Sequence, residues 1–231
     1  MRIVEQDWGD KVLRHELFVG RDGAPGVILF PTVMGVSDLE RGFAARLVGA
    51  GYSAVVADLY GRRFAGVERE AAMAAMTALR ADRGALRELL VALFEEVQGY
   101  DEIDPRKVAA VGFCFGGQCA FDLARSGAQV VGIASFHGLF DPPDLPPQPI
   151  AAKVAAYHGW DDPLVPPAAV VALGDELTAA GCDWQIHAYG HVGHGFTNPG
   201  ATGAMPGIKY DERTAQRAWR LCDDFLAECF K

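Results

Sequence analysis

The chain has 231 residues, half of them apolar and 22% charged, with a formal net charge of −9. That length suits one large α/β domain over residues 1–231, and the composition is that of a globular chain with a sizeable core. The acidic balance speaks against nucleic acid, which is bound through basic phosphate contacts, and offers no basic patch for an anionic membrane.

In chain order, β-rich runs are expected at 12–19 and 27–31, a helical pattern at 39–50, a strand at 53–58, and helical patterns at 68–79 and 85–98. A strand at 108–113 leads into a helix at 115–126. Strands at 130–136 and 153–157, a helix at 168–180, a strand at 184–189 and a helix at 211–230 complete the series. The middle strands are largely apolar, as expected where helices cover both faces. The βαβα alternation predicts an α/β fold with a doubly wound, mostly parallel sheet flanked by helices. The first strand and a hairpin partner are expected to lie antiparallel at the edge.

Two stretches read as loops: proline-dense 141–149, and 198–207 with Gly200, Gly203 and Gly207. Both follow strands, so they either rim a site at the strand ends or simply connect elements. No insertion is long enough for a separate cap domain, so an open site is expected. No apolar run approaches the roughly 20 residues that span a bilayer. The first residues carry no apolar signal core. Cys114, Cys119, Cys182, Cys222 and Cys229 are odd in number and irregularly spaced. That is a poor disulfide framework and fits a reducing cytoplasm.

The segment richest in chemistry is Gly112-Phe113-Cys114-Phe115-Gly116-Gly117. An apolar strand runs into Gly-x-Cys-x-Gly-Gly and a helical pattern follows, the context of a nucleophile elbow with Cys in place of Ser. Glycines are needed there because a Cβ would clash within the strained turn. The turn places Cys114 at a helix N-terminus, where free N–H groups and the macrodipole favour thiolate. The backbone N–H of Phe115 is then an oxyanion donor. The plain alternative is that Cys114 is a small buried hydrophobe.

Such a nucleophile needs a base, and the base needs an orienting acid. After the strand at 153–157 come Asp161 and Asp162; after the strand at 184–189 come His191 and His194. Spacing alone leaves Asp161 against Asp162, and His191 against His194, open. His187, His191 and His194 also have a metal-like spacing, but they straddle a strand end rather than sharing a helix face, so no metal site is expected. Cys114 and Cys119 are five apart, not the spacing of a redox pair. His137 and His158, at strand termini, read either as residues touching the site or, more plainly, as satisfied structural histidines.

The chain resembles the dienelactone hydrolase family of α/β-hydrolases over nearly its whole length. The resemblance is carried by Asp58-Leu59-Tyr60-Gly61, the Gly-x-Cys-x-Gly-Gly element, Asp162-Pro163-Leu164-Val165-Pro166 and His194-Gly195-Phe196. It implies a Cys114, His194 and Asp162 triad, with the Val33 N–H as second oxyanion donor. Two positions depart from the family pattern. A glutamate that holds the resting thiol in the type enzyme is matched by Thr32, and an arginine that binds the substrate carboxylate is matched by Asn198. A neutral amide gives no bidentate, charge-assisted grip on a carboxylate, so dienelactone itself is not the expected substrate. Arg62, Arg63 and Arg69 are other positive groups, read as solvated.

The leading expectation is a cytoplasmic hydrolase of small lactones or esters that works through a thioester, without cofactor, as monomer or homodimer. Thr32, Tyr60, Phe113, Trp160, Phe196 and Asn198 are its expected pocket residues. The alternatives are a broad esterase or amide hydrolase with the same triad, and a silent thiol-based binding or redox-sensing protein.

Overall fold

A computed structural model describes residues 1–64, 66 and 68–231. Its elements are β1 (Arg2–Trp8), β2 (Lys11–Phe18), β3 (Ala24–Phe30), α1 (Asp38–Gly49), β4 (Ser53–Val56), α2 (Arg69–Ala81), α3 (Arg83–Gln98) and β5 (Ile103–Phe113). They continue with α4 (Phe115–Arg125), β6 (Gly132–Phe136), β7 (Lys153–Gly159), α5 (Pro167–Ala179), β8 (Trp184–Tyr189), β9 (Thr202–Met205), β10 (Ile208–Lys209) and α6 (Glu212–Cys229).

Eight strands form one sheet in the order β1-β2-β4-β3-β5-β6-β7-β8. β1 and β2 make an antiparallel hairpin, and β2 is antiparallel to β4. From β4 to β8 every neighbouring pair is parallel, the geometry that crossover helices permit. This is the α/β-hydrolase arrangement. The chain order reverses between β3 and β5, so a crevice opens at their C-terminal ends, where open α/β sheets bind ligands.

Alternation along each strand feeds two cores. Ile28, Val108 and Val154 face α3, α4 and α5, packing with Leu90, Leu93, Phe121 and Leu173. Val27, Leu29 and Val111 face α1 and α6, packing with Phe43, Leu47, Trp219 and Phe225. A rigid sheet buried on both faces holds its strand-end loops in place.

The expected strands and helices are present with boundary shifts of a few residues, and β5 begins earlier, at Ile103. The hairpin partner of the first strand is β1, which has a polar sequence and no buried residue. The 198–207 stretch is not all loop. It contains β9 and the turn to β10, where Gly207 has φ +75°. That small hairpin is tied to the His194 loop: the His194 N–H donates to Gly207 O at 2.7 Å, and the Lys209 N–H to His194 O at 3.1 Å. Periodicity missed it because every β9 side chain is exposed. Among the described residues, no helix is long and apolar enough to cross a membrane.

Candidate active site

β5 ends at Phe113, and Cys114 turns the chain into α4 with φ 55° and ψ −117°, a left-handed conformation a non-glycine residue holds only when its surroundings enforce it. They do so by close approach. A Cβ on Gly112 would lie 1.9 Å from Gly116 O, and one on Gly116 would lie 2.1 Å from Phe30 O. The elbow therefore presses against the end of β3, and its glycines are steric necessities. The Cys114 N–H donates to Phe136 O at 3.1 Å, pinning the turn to β6.

The Cys114 side chain is half-buried. Burial pushes its pKa up, but the charge and hydrogen bond of His194 and the Phe115 N–H outweigh that, and the net shift is downward. The remaining cysteines differ in kind. Cys119 and Cys222 are fully buried, with thiols pushed well up by desolvation.

The two carboxylate and histidine alternatives separate in space. His194 is buried, and its Nδ1 lies 2.8 Å from Asp162 Oδ2. The other carboxylate oxygen, Oδ1, accepts from the Leu164 N–H at 2.8 Å. With Nδ1 committed, Nε2 is the nitrogen left for Cys114. Burial lowers the His194 pKa, but Cys114 and the Asp162 hydrogen bond raise it further, and the net shift is upward. Asp161 and His191 instead form a loose surface contact, with the His191 side chain 99% exposed. His187 stacks on Tyr157 and bonds Gln185, away from this cluster.

The loop after β3 supplies the facing wall. Thr32 and Gly35 close a turn through Gly35 N–H to Thr32 O. The Thr32 N–H and hydroxyl both donate to Glu40 Oε1, at 3.1 and 3.0 Å, and the Ser37 hydroxyl donates to Oε2. Glu40 is fully buried. It escaped notice in the sequence, although Ser37-x-x-Glu40 is a helix-start pattern that could have flagged it. The Tyr60 hydroxyl donates to Val33 O at 3.2 Å. Braced on both sides, the Val33 N–H has no acceptor among the described residues. Tyr60 in turn is set by Asp58, which accepts from the Tyr60 and Gly61 N–H groups and pairs with Arg63.

Cys114 and His194 line a cavity of about 600 Å³ with Thr32, Val33, Asn198 and His137. Its walls are apolar at Met34 and Leu139, in the loops after β3 and β6, at Met73 and Met76 of α2, and at Met205 and Ile208 of the β9–β10 hairpin. Arg69 also lines it, with no carboxylate partner among the described residues. Arg62 pairs with Glu68, and Arg80 with Asp141.

Of the expected pocket residues, Thr32 and Asn198 line the cavity, but Tyr60, Phe113, Trp160 and Phe196 do not. Tyr60 stands behind the β3 loop. Phe113, one residue before Cys114, points to the opposite core and stacks on Phe43 at 4.3 Å. Trp160 is 41% exposed on the surface, and Phe196 is buried against His137 and Tyr189. His137, one of the two strand-end histidines with a site reading, lines the cavity, and its Nδ1 is buried without a partner among the described residues.

A thiol and imidazole that stabilise each other's charged forms, with the Phe115 N–H beside the sulfur, are a pair able to attack a carbonyl. Comparison with known proteins gives the family. Residues 16–230 match the model of the dienelactone hydrolase family. Carboxymethylenebutenolidase of Pseudomonas putida is 30% identical over 190 residues, 78% of each chain. The solved structure named m3DLH has a TM-score of 0.89 and 35% identity, covering 100% of this chain and 98% of its own. A dienelactone hydrolase-like promiscuous phosphotriesterase, P91, from metagenomic libraries has a TM-score of 0.92 and 31% identity at the same coverage.

Proposed function

The chain belongs to the dienelactone hydrolase family and is an ester-bond hydrolase, and from that premise we propose that it opens small lactones or esters through a thioester on Cys114. The observation that carries this reading is the linked set Asp162, His194 and Cys114 at the end of the cavity. The Cys114 thiolate attacks the carbonyl carbon while the Phe115 and Val33 N–H groups hold the oxyanion. Collapse expels the alkoxide, which takes a proton from the His194 imidazolium; in a lactone it stays tethered to the acyl group. Water, deprotonated by His194, then attacks the thioester, and the sulfur leaves as thiolate. Five free cysteines suit a reducing cytoplasm, where the thiolate persists.

Thiolate is a better leaving group than a simple alkoxide, so activated esters and enol lactones should turn over best. The apolar walls favour a hydrocarbon body, and Arg69 favours an anionic substituent beside it. A panel of lactones and aryl esters, with and without a carboxylate, tests this on the wild type and on Arg69→Gln. The expected result is a five- to twenty-fold rise in KM confined to the anionic substrates, about 1–2 kcal/mol for an exposed charge-assisted contact. An equal effect on neutral substrates would refute the role of Arg69. Full turnover of the aryl esters by Cys114→Ala would refute the thioester mechanism.

A second reading is favoured by the likeness to P91: the same thiolate attacks phosphorus in activated phosphotriesters. Release of aryl alcohol from an aryl phosphotriester, dependent on Cys114, would support it, and absence of such release would exclude it.

A further inference from the structure

The chain holds five methionines, and every one but Met1 lines the cavity that contains Cys114. They arrive from separate segments. Met34 lies in the loop after β3, Met73 and Met76 stand one turn apart on α2, and Met205 ends β9. Met76 is buried, whereas Met73 and Met205 are 39% and 41% exposed. A second cavity, of about 640 Å³ beside α5 and the 141–150 loop, is apolar at Phe140, Leu145, Ile150, Leu173 and several prolines, and no methionine lines it. Methionine is therefore not this chain's general wall material. It is gathered around Cys114.

A thioether differs from a leucine or isoleucine side chain in two ways. It is unbranched, so it adapts to the outline of a ligand, and its polarisable sulfur attracts an aromatic ring at about 5 Å, often at the ring edge. Among the described residues no Phe, Tyr or Trp lines this cavity, so the ring that complements the sulfurs there is one a ligand brings. Covering the exposed side chains of Met73 and Met205 is favourable for any apolar ligand. An aromatic ligand uses the sulfur as well.

We propose that the four methionines form a binding surface for an aromatic ring, so that the substrates of this site are esters or lactones carrying an aryl group. The proposal rests on the reading that the ester is held in this cavity beside Cys114, and it narrows the hydrocarbon body to an aromatic one. Arg69 lines the same cavity. Its charge acts on a carboxylate whatever ring carries it, so the two determinants can be measured apart.

The test compares phenylacetate with cyclohexylacetate as competitors of p-nitrophenyl acetate hydrolysis, giving an inhibition constant for each. Both carry the same carboxylate, so Arg69 contributes equally. The saturated ring has the larger apolar area, so burial alone would favour cyclohexylacetate. Phenylacetate should instead bind the wild type more tightly, by about three-fold or more. The double variant Met73→Leu, Met205→Leu keeps an apolar wall of similar volume. In it the phenylacetate constant should rise about three- to ten-fold, while that of cyclohexylacetate stays within about two-fold. The wild-type comparison needs no variant, so it decides the matter even if the double variant fails to fold. Equal or tighter binding of cyclohexylacetate, binding of neither acid, or a loss in the variant shared by both rings would overturn the proposal. Competition does not pass through an acyl-enzyme. Failure of the thioester reading would show instead as full turnover by Cys114→Ala with the ring preference intact.

Discussion

Replacing Asp162 by Asn is a nearly isosteric change whose outcome is dictated by one backbone group. The Leu164 N–H donates to Oδ1 at 2.8 Å, so the new amide must keep its oxygen there. Its NH2 then faces His194 Nδ1, where Oδ2 now stands at 2.8 Å. Nδ1 becomes an acceptor, the ring proton moves to Nε2, and the imidazole presents Cys114 with the wrong tautomer. The imidazolium that lowers the Cys114 thiol is lost with it. Desolvation then leaves the thiol at or above its ordinary value near 8.5, where it is at most about 3% thiolate at pH 7, a loss of roughly 30-fold or more before the base function of His194 is counted. The same exchange in a serine triad lowers turnover about 10⁴-fold, so a decrease of about 10²–10⁴ is expected here. The assay is kcat/KM on an activated aryl ester from pH 6 to 10. Because hydroxide can restore the thiolate, the variant should regain about ten-fold per pH unit up to the thiol pKa. Activity within three-fold of wild type at pH 7, or a loss that pH does not relieve, would refute the reasoning.

Gly116→Ala tests the contact between the elbow and the end of β3. The new Cβ would sit 2.1 Å from Phe30 O and 2.5 Å from Pro31 O, so the two segments must part by about 1 Å, displacing the Val33 N–H from the Phe115 N–H. The expected result is a loss of about 1–3 kcal/mol in urea unfolding and about 100-fold in kcat; an unchanged kcat would contradict the paired donors. Alkylation of Cys114 by iodoacetamide should reach half its limiting rate at a pH below the ordinary thiol range, because His194 stabilises the thiolate. In His194→Asn desolvation remains without that partner, so the midpoint should move above the ordinary value; an unmoved midpoint would show that His194 does not set the thiol.

What could be read in advance follows from how local each constraint is. The elbow was legible because its glycines answer to neighbours within a few residues, and the strand–turn–helix run is continuous in the chain. Asp161 and Asp162 are adjacent and differ only in which one the Leu164 N–H and His194 reach, a matter of loop geometry that spacing does not encode. Phe113 is next to Cys114 in the chain, yet alternation along β5 sends it to the opposite face. Glu40 and the β9–β10 hairpin act on the site from eight or more residues away, through a buried carboxylate and backbone bonds to His194. Neither leaves a periodic signature.

The account stands on a covalent acyl group at Cys114. Quenching the enzyme with acid within its first turnovers of an activated aryl ester, then locating the added mass by peptide sequencing, tests it most directly. An acyl adduct on Cys114, absent from Cys114→Ala and increased in Asp162→Asn at low pH only as far as acylation itself survives, is the predicted result. Rapid turnover with no adduct, or an adduct on another side chain, would contradict it.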